Sequence, residues 1–471
     1  MKKLAFLSVW AVLSVSAVFG QDLEYLVYDR DLSPPEEYQH RRTEFMNKLP
    51  GKSAAIFYAA SEHTRTGDTD FPFRQDNNIL YFTGFSEPNS ILLLAPDGIP
   101  ASLLGDTVSA TVNEILFVMR KERWRETWSG RQFGPEGTEK FTNIECATTN
   151  DKFAAVVAWL SRNVKKLCFP PVRSDVHGAL RPLLEPLQKL PSGGDGAFGV
   201  EDPTNIVRSM RQLKSAEEIR LIRRATQISV AAHRQAMMSC VPGMHEYELK
   251  AVYEYVFRKL GAESPAYPCI IGSGENSVVM HYAATRRQMK DGDVVVADCG
   301  AEYHNYASDV TRTYPVNGKF SAPQREIYEI VLCAQDEALQ EIKPGVPFSN
   351  AGRRAKQVIQ KGLLRLGILK DTAQIQRFYP HNLGHPVGLD VHDGSTPILK
   401  PGVVHTLEPG IYIAEDSPGV DPRYLNIGVR IEDMVLVTES GYELLSSGLP
   451  RTPAEIERLM KKEGLGNRKV E

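Results

Sequence analysis

Asp298, Asp309, His385, Glu408 and Glu432 carry the densest chemistry in this 471-residue chain. They are four carboxylates and one imidazole in short turn-rich or β-branched settings: VVVADCG, YASDVTRTYP, NLGHPVG, HTLEPGIY and VRIEDMV. A set rich in oxygen, with one nitrogen and no thiolate, suits hard or borderline divalent cations such as Mn, Co or Zn. Five ligands bearing four negative charges would over-neutralise one cation. Two cations that share bridging carboxylates would not be over-neutralised, and a cation pair activates water against a peptide bond.

The elements that must position these groups repeat. Lys290-Asp291-Gly292 leads into Val294, Val295 and Val296, then Asp298 and Gly300; Lys400-Pro401-Gly402 leads into Val403 and Val404, then Glu408 and Gly410. In both, the carboxylate lies eight positions after the lysine and a glycine follows two later. Each unit reads as a turn followed by a strand that delivers an acid at its end. Two such units predict a pseudo-twofold domain with the acids between its halves.

Histidines form a further layer in YPHNLGHPVGLDVHD, where His381 and His385 are four apart and His392 follows seven later. Spacing of four would share a helical turn, but Gly384, Pro386 and Gly388 predict a loop entering a strand. His385 and His392 join the acids, with His381 beside them. His281, in SVVMHYAATRR, is read at the end of an apolar strand upstream of Asp298. His63, His177, His233, His245 and His304 lack such company and read as structural.

The frame is a two-domain soluble enzyme, because the chain is too long for one ordinary core. A net charge of −3 offers neither a nucleic-acid groove nor a polybasic membrane surface. Lys2 and Lys3, the apolar run Leu4–Phe19 and then Gly20-Gln21 read as a cleaved secretory signal, with Val18 at the −3 position. The run is short for a spanning helix, so the expected location is exported, periplasmic or secreted. The six cysteines are scattered with no C-x-x-C pair, and mostly buried free thiols are expected. Cys299, between Asp298 and Gly300, reads as a small apolar filler.

Between Ser53 and about Pro191, SAAIFYAA, NSILLLAP and EILFVMR alternate with the helical DKFAAVVAWLSRNV, which predicts an α/β domain. The Gly/Pro-rich stretch Pro191–Asn205 reads as a linker. Ser215 with Glu218 is a capping box opening a helix that carries Ile219, Ile222, Ala225, Ser229 and Ala232 on one face. Helices are expected over Glu246–Leu260, Pro323–Ile342 and Asn350–Leu366, with strands over Cys269–Thr313 and from Val403 to about Leu445.

The five motifs together resemble the pita-bread metallopeptidases, the family of methionine aminopeptidase, aminopeptidase P and prolidase. TDFPFRQD (69–76) with YFTGF (81–85), DVTRTYPVNGKFSAPQREIYE and GLDVHD are similar to the aminopeptidase P subgroup. With the signal peptide read at 1–20, the resemblance implies an N-terminal α/β domain at 21–205 and an α+β pita-bread catalytic domain with pseudo-twofold symmetry at 206–471. It implies two divalent cations, manganese first, with cobalt or zinc as alternatives. Asp298 would be a terminal ligand, Asp309 and Glu432 would bridge, and His385 with Glu408 would complete the second site. Glu408 would also shuttle a proton, and His281, His381 and His392 would bind the scissile carbonyl or steady the tetrahedral intermediate. Tyr412 and Arg430 would serve substrate binding, Arg430 by orienting its neighbours.

The implied function is a secreted aminopeptidase that removes the first residue from peptides with proline second. Relatives pair as dimers or tetramers, so a homo-oligomer is in keeping. Three positions depart from the family pattern: Cys299 where alanine is common, Asn382 where glycine is frequent, and Pro397 where dipeptide-cleaving relatives carry an arginine. The last tilts the choice away from an Xaa-Pro dipeptidase, the alternative enzyme. A non-catalytic module on the same fold, or a metal-free relative of the creatinase type, is the alternative of another class.

Overall fold

The computed structural model describes residues 27–105, 110–190 and 198–467, so the expected signal peptide lies outside the described residues. The chain divides into two compact units between Pro203 and Thr204.

The first unit is built on a six-stranded sheet. In spatial order its strands are Cys146–Thr149, Thr111–Val118, Ile91–Pro100, Ser53–Tyr58, Lys166–Cys168 and Gly199–Glu201. The inner pairs are antiparallel and the outer ones parallel. Ser53–Tyr58 is buried along its whole length, as a central strand covered on both faces must be. Helices Pro35–Lys48, Gly134–Thr142 and Phe153–Asn163 belong to this unit. Arg42 is fully buried; it donates to Glu114 at 2.8 Å, to Phe82 O at 2.9 Å and to Asn143 O at 2.9 Å.

One sequence expectation fails here. Pro191–Asn205 is not wholly linker, because Gly199–Glu201 pairs in parallel with Lys166–Cys168 and a helix starts at Thr204. Three residues satisfied by an edge ladder are too few to override the Gly/Pro signal in the sequence.

The second unit opens with helix Ala216–Ser239, whose capping box closes with Glu218 N donating to Ser215 Oγ at 3.2 Å and Ser215 N to Glu218 Oε2 at 3.0 Å. It buries Ile222, Ala225, Ser229 and Ala232, while Ile219 is half-buried. Helices Glu246–Lys259, Ala322–Leu339 and Phe348–Arg365 follow. Four small sheets take the place of one large one, three of them three-stranded and one two-stranded. Val294–Asp298 lies between Ile270–Ser273 and Thr311–Pro315, all antiparallel. Val404–Leu407 pairs with Asp433–Val437, and Gly410–Ile413 with Ile427–Arg430.

The two sequence repeats are structural repeats. Gly292 (φ 85°) and Gly402 (φ 88°) both take the left-handed conformation that glycine accepts without penalty. Asp293 N reaches Lys290 O at 3.2 Å and Val403 N reaches Lys400 O at 3.1 Å, so both turns close the same way. The glycine after the first acid is required by contact, since a Cβ on Gly300 would overlap the Ser308 carbonyl.

The stretch around His281 differs from expectation. Gly274–Val278 is a 3-10 turn and 279–293 forms no strand. The buried Glu246 carboxylate accepts from Ser273 N at 2.9 Å, Asn276 Nδ2 at 3.2 Å and Arg287 N at 3.1 Å. The Glu246 carboxylate ties the two flanks of this stretch, a single antiparallel bridge pairs Gln288 with His245, and Val279 and Met280 face solvent although they are apolar. The cysteines are free; Cys168, Cys240, Cys269 and Cys299 are buried, Cys146 is half-buried and Cys333 is exposed. Among the described residues no helix is long and apolar enough to cross a membrane.

Candidate metal centre

Register brings the acids together in pairs. Asp298 ends its strand opposite Thr311. Asp309 lies two residues before Thr311, so the alternation of an extended chain puts it on the same face, diagonal to Asp298. In the other half the pairings Leu407↔Asp433 and Gly410↔Arg430 share one register, and continuing it across the gap sets Glu408 opposite Glu432. The loop carrying His385 runs extended beside the strand Val404–Leu407: Glu408 N donates to Leu383 O at 2.7 Å, Thr406 N to His385 O at 2.9 Å and Val387 N to Val404 O at 3.1 Å. His385 is thereby delivered from a loop held by backbone bonds.

The five side chains form one cluster. The Tyr267 hydroxyl lies 2.6 Å from Asp298 Oδ1 and 2.6 Å from Asp309 Oδ1. His385 Nε2 stands 3.4 Å from Asp309 Oδ2 and 3.6 Å from Glu408 Oε1. Donor atoms of Asp309, His385 and Glu432 all fall within 4.8 Å of one another. Thr311 Oγ1 donates to Glu432 Oε2 at 2.7 Å.

Charge in this cluster is one-sided. Burial, then the neighbouring Asp298 and Glu408, push the Asp309 carboxyl well above its ordinary value. Burial with Glu432 does the same to Glu408, and burial with Asp309 and Asp298 to Glu432. Among the described residues, Arg430 is the guanidinium bonded to one of the five, reaching Asp298 Oδ2 at 2.6 Å. Three buried carboxylates and the half-buried Glu408 against one guanidinium leave negative charge that a divalent cation would neutralise, and the donor set fits hard or borderline metals.

The remaining predicted residues lie around the cluster in different ways. His381 Nδ1 is 3.9 Å from Glu408 Oε2, and its Nε2 is 2.9 Å from the Tyr412 hydroxyl. Burial lowers its pKa to about 4, so the ring is neutral at pH 7. His392 stacks on His385 with ring centres 3.8 Å apart. His281 is exposed, next to Met280, whose carbonyl accepts from Arg430 Nη2 at 3.4 Å. Tyr412 and Arg430, expected to bind substrate, are both buried. Arg430 also donates to Tyr412 Oη at 2.9 Å and to Thr311 Oγ1 at 3.2 Å. Four of its five N–H groups meet protein partners, Asp298 among them, so the guanidinium is turned largely into the protein.

Tyr267 and Thr311 are the site residues that sequence reasoning missed. Thr311 could have been found, because it stands two after Asp309 on a β-branched run. Tyr267, in PAYPCIIGS, has no spacing that marks it.

Family comparison agrees with this geometry. The model of metallopeptidase family M24 matches residues 220–439, and that of the aminopeptidase P N-terminal domain matches 38–168. The chain belongs to metallopeptidase family M24, and its architecture is the two-domain one of aminopeptidase P, an N-terminal domain followed by a pita-bread catalytic domain. An Xaa-Pro aminopeptidase of Haemophilus influenzae is 37% identical over 440 residues, 91% of this chain and 97% of its own length. An Xaa-Pro aminopeptidase of Escherichia coli is 36% identical, over 90% of this chain and 97% of its own. Among solved structures, Pseudomonas aeruginosa aminopeptidase PepP matches with TM-score 0.82 at 35% identity, covering 91% of this chain and 98% of that one. Escherichia coli aminopeptidase P with the inhibitor Pro-Leu matches with TM-score 0.83, also at 35% identity and with the same coverage.

Proposed function

We propose that this metallopeptidase removes the N-terminal residue from peptides whose second residue is proline. The observation that carries the reading is the complete donor set, gathered into one cluster, in a chain similar over nine-tenths of its length to proteins named Xaa-Pro aminopeptidase. Asp298, Asp309, His385, Glu408 and Glu432 would hold two divalent cations, manganese by preference and cobalt or zinc by the same donor chemistry. When bound, such a pair brings the ionisation of water near neutral pH and polarises the scissile carbonyl.

The side chains supply the rest. Glu408 takes the proton of the attacking water and returns it to the nitrogen of the leaving proline. That nitrogen belongs to a tertiary amide with no hydrogen, so it must gain one to leave as a secondary amine. His281, His381 and His392 serve the scissile carbonyl and the negative charge that grows on its oxygen. His381 Nδ1 lies 2.8 Å from Asn382 O and its Nε2 2.9 Å from the Tyr412 hydroxyl, so the ring would exchange one of these partners for the scissile carbonyl to serve it. The leader at 1–20 marks the chain for export, and a mature N-terminus at Gln21 in the exported protein checks it.

The decisive experiment strips the protein with a chelator, restores Mn, Co or Zn separately, and follows release of free Xaa from Xaa-Pro-Yaa peptides and Xaa-Pro dipeptides. Tripeptide cleavage that exceeds dipeptide cleavage and vanishes on chelation is expected. Strict preference for dipeptides would move the reading to an Xaa-Pro dipeptidase. Absence of both cation uptake and cleavage would leave only a binding module.

A further inference from the structure

Two helices reach the acid cluster in matching ways, one in each half of the catalytic unit. His233, on the helix Ala216–Ser239, is fully buried, and its Nε2 lies 3.1 Å from Cys299 O and 2.9 Å from Val310 O. Those carbonyls belong to the residues directly after Asp298 and Asp309. Two acceptors facing Nε2 require a hydrogen there, which leaves Nδ1 to accept from the Tyr253 hydroxyl at 2.9 Å.

Gln335, on the helix Ala322–Leu339, is equally buried, and its Nε2 donates to Leu407 O at 3.0 Å and to Ile431 O at 3.1 Å. Those carbonyls belong to the residues directly before Glu408 and Glu432. Arg451 donates to Gln335 Oε1 from Nη2 at 2.7 Å and from Nε at 3.1 Å, so the amide oxygen faces the guanidinium and the nitrogen faces the carbonyls.

Each side chain therefore ties together two segments that both bear an acid, one peptide away from each. An apolar side chain at either position would bury as much surface without desolvating a polar group. What the imidazole and the amide add is direction: a single donor nitrogen sets the separation of two carbonyls. We infer that His233 and Gln335 are paired positioning residues, one per half, that hold the four carboxylates at the spacing a cation pair needs. The inference rests on the metal-centre reading and adds to it two residues that touch neither metal nor substrate.

The test reads cation binding, not turnover. Metal-free protein is titrated with Mn²⁺ by calorimetry, the visible spectrum of the Co²⁺ form is recorded, and unfolding of the metal-free chain is followed in parallel. His233→Phe keeps the ring volume and removes the donor; Gln335→Met keeps the length and removes the donor; His233→Gln restores a donor nitrogen. His233→Phe and Gln335→Met should each weaken Mn²⁺ binding roughly 10–100-fold and alter the Co²⁺ spectrum, and His233→Gln should recover most of the loss. Parental affinity and spectrum in both donor-less variants would overturn the inference, as would a His233→Phe loss that His233→Gln does not recover. If the His233→Phe chain does not fold, Gln335→Met decides alone. A parent protein that takes up no cation would instead sink the metal-centre reading, and this inference with it.

Discussion

Each unit buries a guanidinium against a carboxylate, and the two pairs do different things. In the N-terminal unit Arg42 meets Glu114 at 2.8 Å, and its other donors end on the neutral carbonyls of Phe82 and Asn143. Burial dominates both partners, lowering the pKa of Arg42 and raising that of Glu114. In the catalytic unit Arg430 meets Asp298 at 2.6 Å, but Asp298 shares the Tyr267 hydroxyl with Asp309, and Glu408 and Glu432 crowd the same space. Burial works to lower the Arg430 pKa, yet Tyr412, Asp298 and Glu408 together raise it well above its ordinary value. A buried ion pair by itself is weak evidence of function or even of stability. The informative quantity is surplus charge: one cation for one anion in the first unit, one for four in the second.

The surplus can be broken from either side. Glu408→Gln should lower turnover of an Xaa-Pro-Yaa peptide by roughly 10²–10⁴-fold. The unfolding temperature of the metal-free chain should hold or rise, because one of the mutually repelling charges is gone. Initial rates and thermal unfolding on one preparation check both, and a rate loss below tenfold would remove Glu408 from proton transfer. Arg42→Met should do the reverse. It strands Glu114 without its partner and should cost about 3–5 kcal/mol in denaturant unfolding of the N-terminal unit. Mn²⁺ uptake by the same variant should match the parent, and a parallel fall in uptake would show that the first pair is not merely structural.

How far the sequence exposes this contrast depends on what each feature needs. Asp298 and Glu408 are legible because chemistry and spacing coincide: a K-x-G turn, a valine-rich strand and an acid at its end occur twice, and the structure repeats the turn bond and the positive φ. The extended course of the His385 loop is also legible, since Gly384, Pro386 and Gly388 exclude a helix. His281 misled, because its apolar context reads as a strand, whereas the Glu246 carboxylate, far back in the chain, holds the flanking Ser273 and Arg287 and the residues between form no strand. The short strand Gly199–Glu201 is invisible among glycines, as its pairing partner alone defines it. Tyr267, Gln335 and His233 escape for a related reason. Their roles are set by which distant groups their polar atoms meet, and no periodicity encodes that.

Acid sharpens the contrast between the units. His40 and His63 in the first are exposed and His177 is half-buried, whereas the second buries His233 completely. Burial, with Arg312 adding to it, lowers the His233 pKa from 6.5 to about 4. Between those values the unfolded chain binds a proton that the folded chain does not. The neutral ring's contribution is therefore full above pH 6.5 and is lost as pH falls toward 4, by about 1.4 kcal/mol per pH unit. The cluster's carboxylates, with raised folded values, act in the opposite sense but are common to parent and His233→Gln. The stability difference between those two chains, from urea unfolding of metal-free protein at pH 7 and pH 5, should thus move by about 2 kcal/mol against the parent on acidification. A difference that stays constant with pH would mean that His233 is not held neutral.

The finest probe pairs two tyrosines. Tyr58 in the first unit donates to Pro171 O at 2.7 Å and accepts from Arg173 N at 3.1 Å, an ordinary set of partners that removes no ligand when lost. Tyr267 in the second lies between Asp298 and Asp309. Tyr58→Phe should cost about 1 kcal/mol of stability and leave Mn²⁺ binding alone. Tyr267→Phe deletes a hydroxyl that holds two acids in register, so Mn²⁺ binding should weaken by roughly 10-fold or somewhat more. Its metal-free stability should fall by about 1 kcal/mol, as for Tyr58→Phe. Calorimetric titration of both variants beside the parent separates the two outcomes. Equal Mn²⁺ affinities for Tyr58→Phe and Tyr267→Phe would mean that the acids keep their spacing without the hydroxyl, and the ordering of the site would then have to come from the backbone ties behind it.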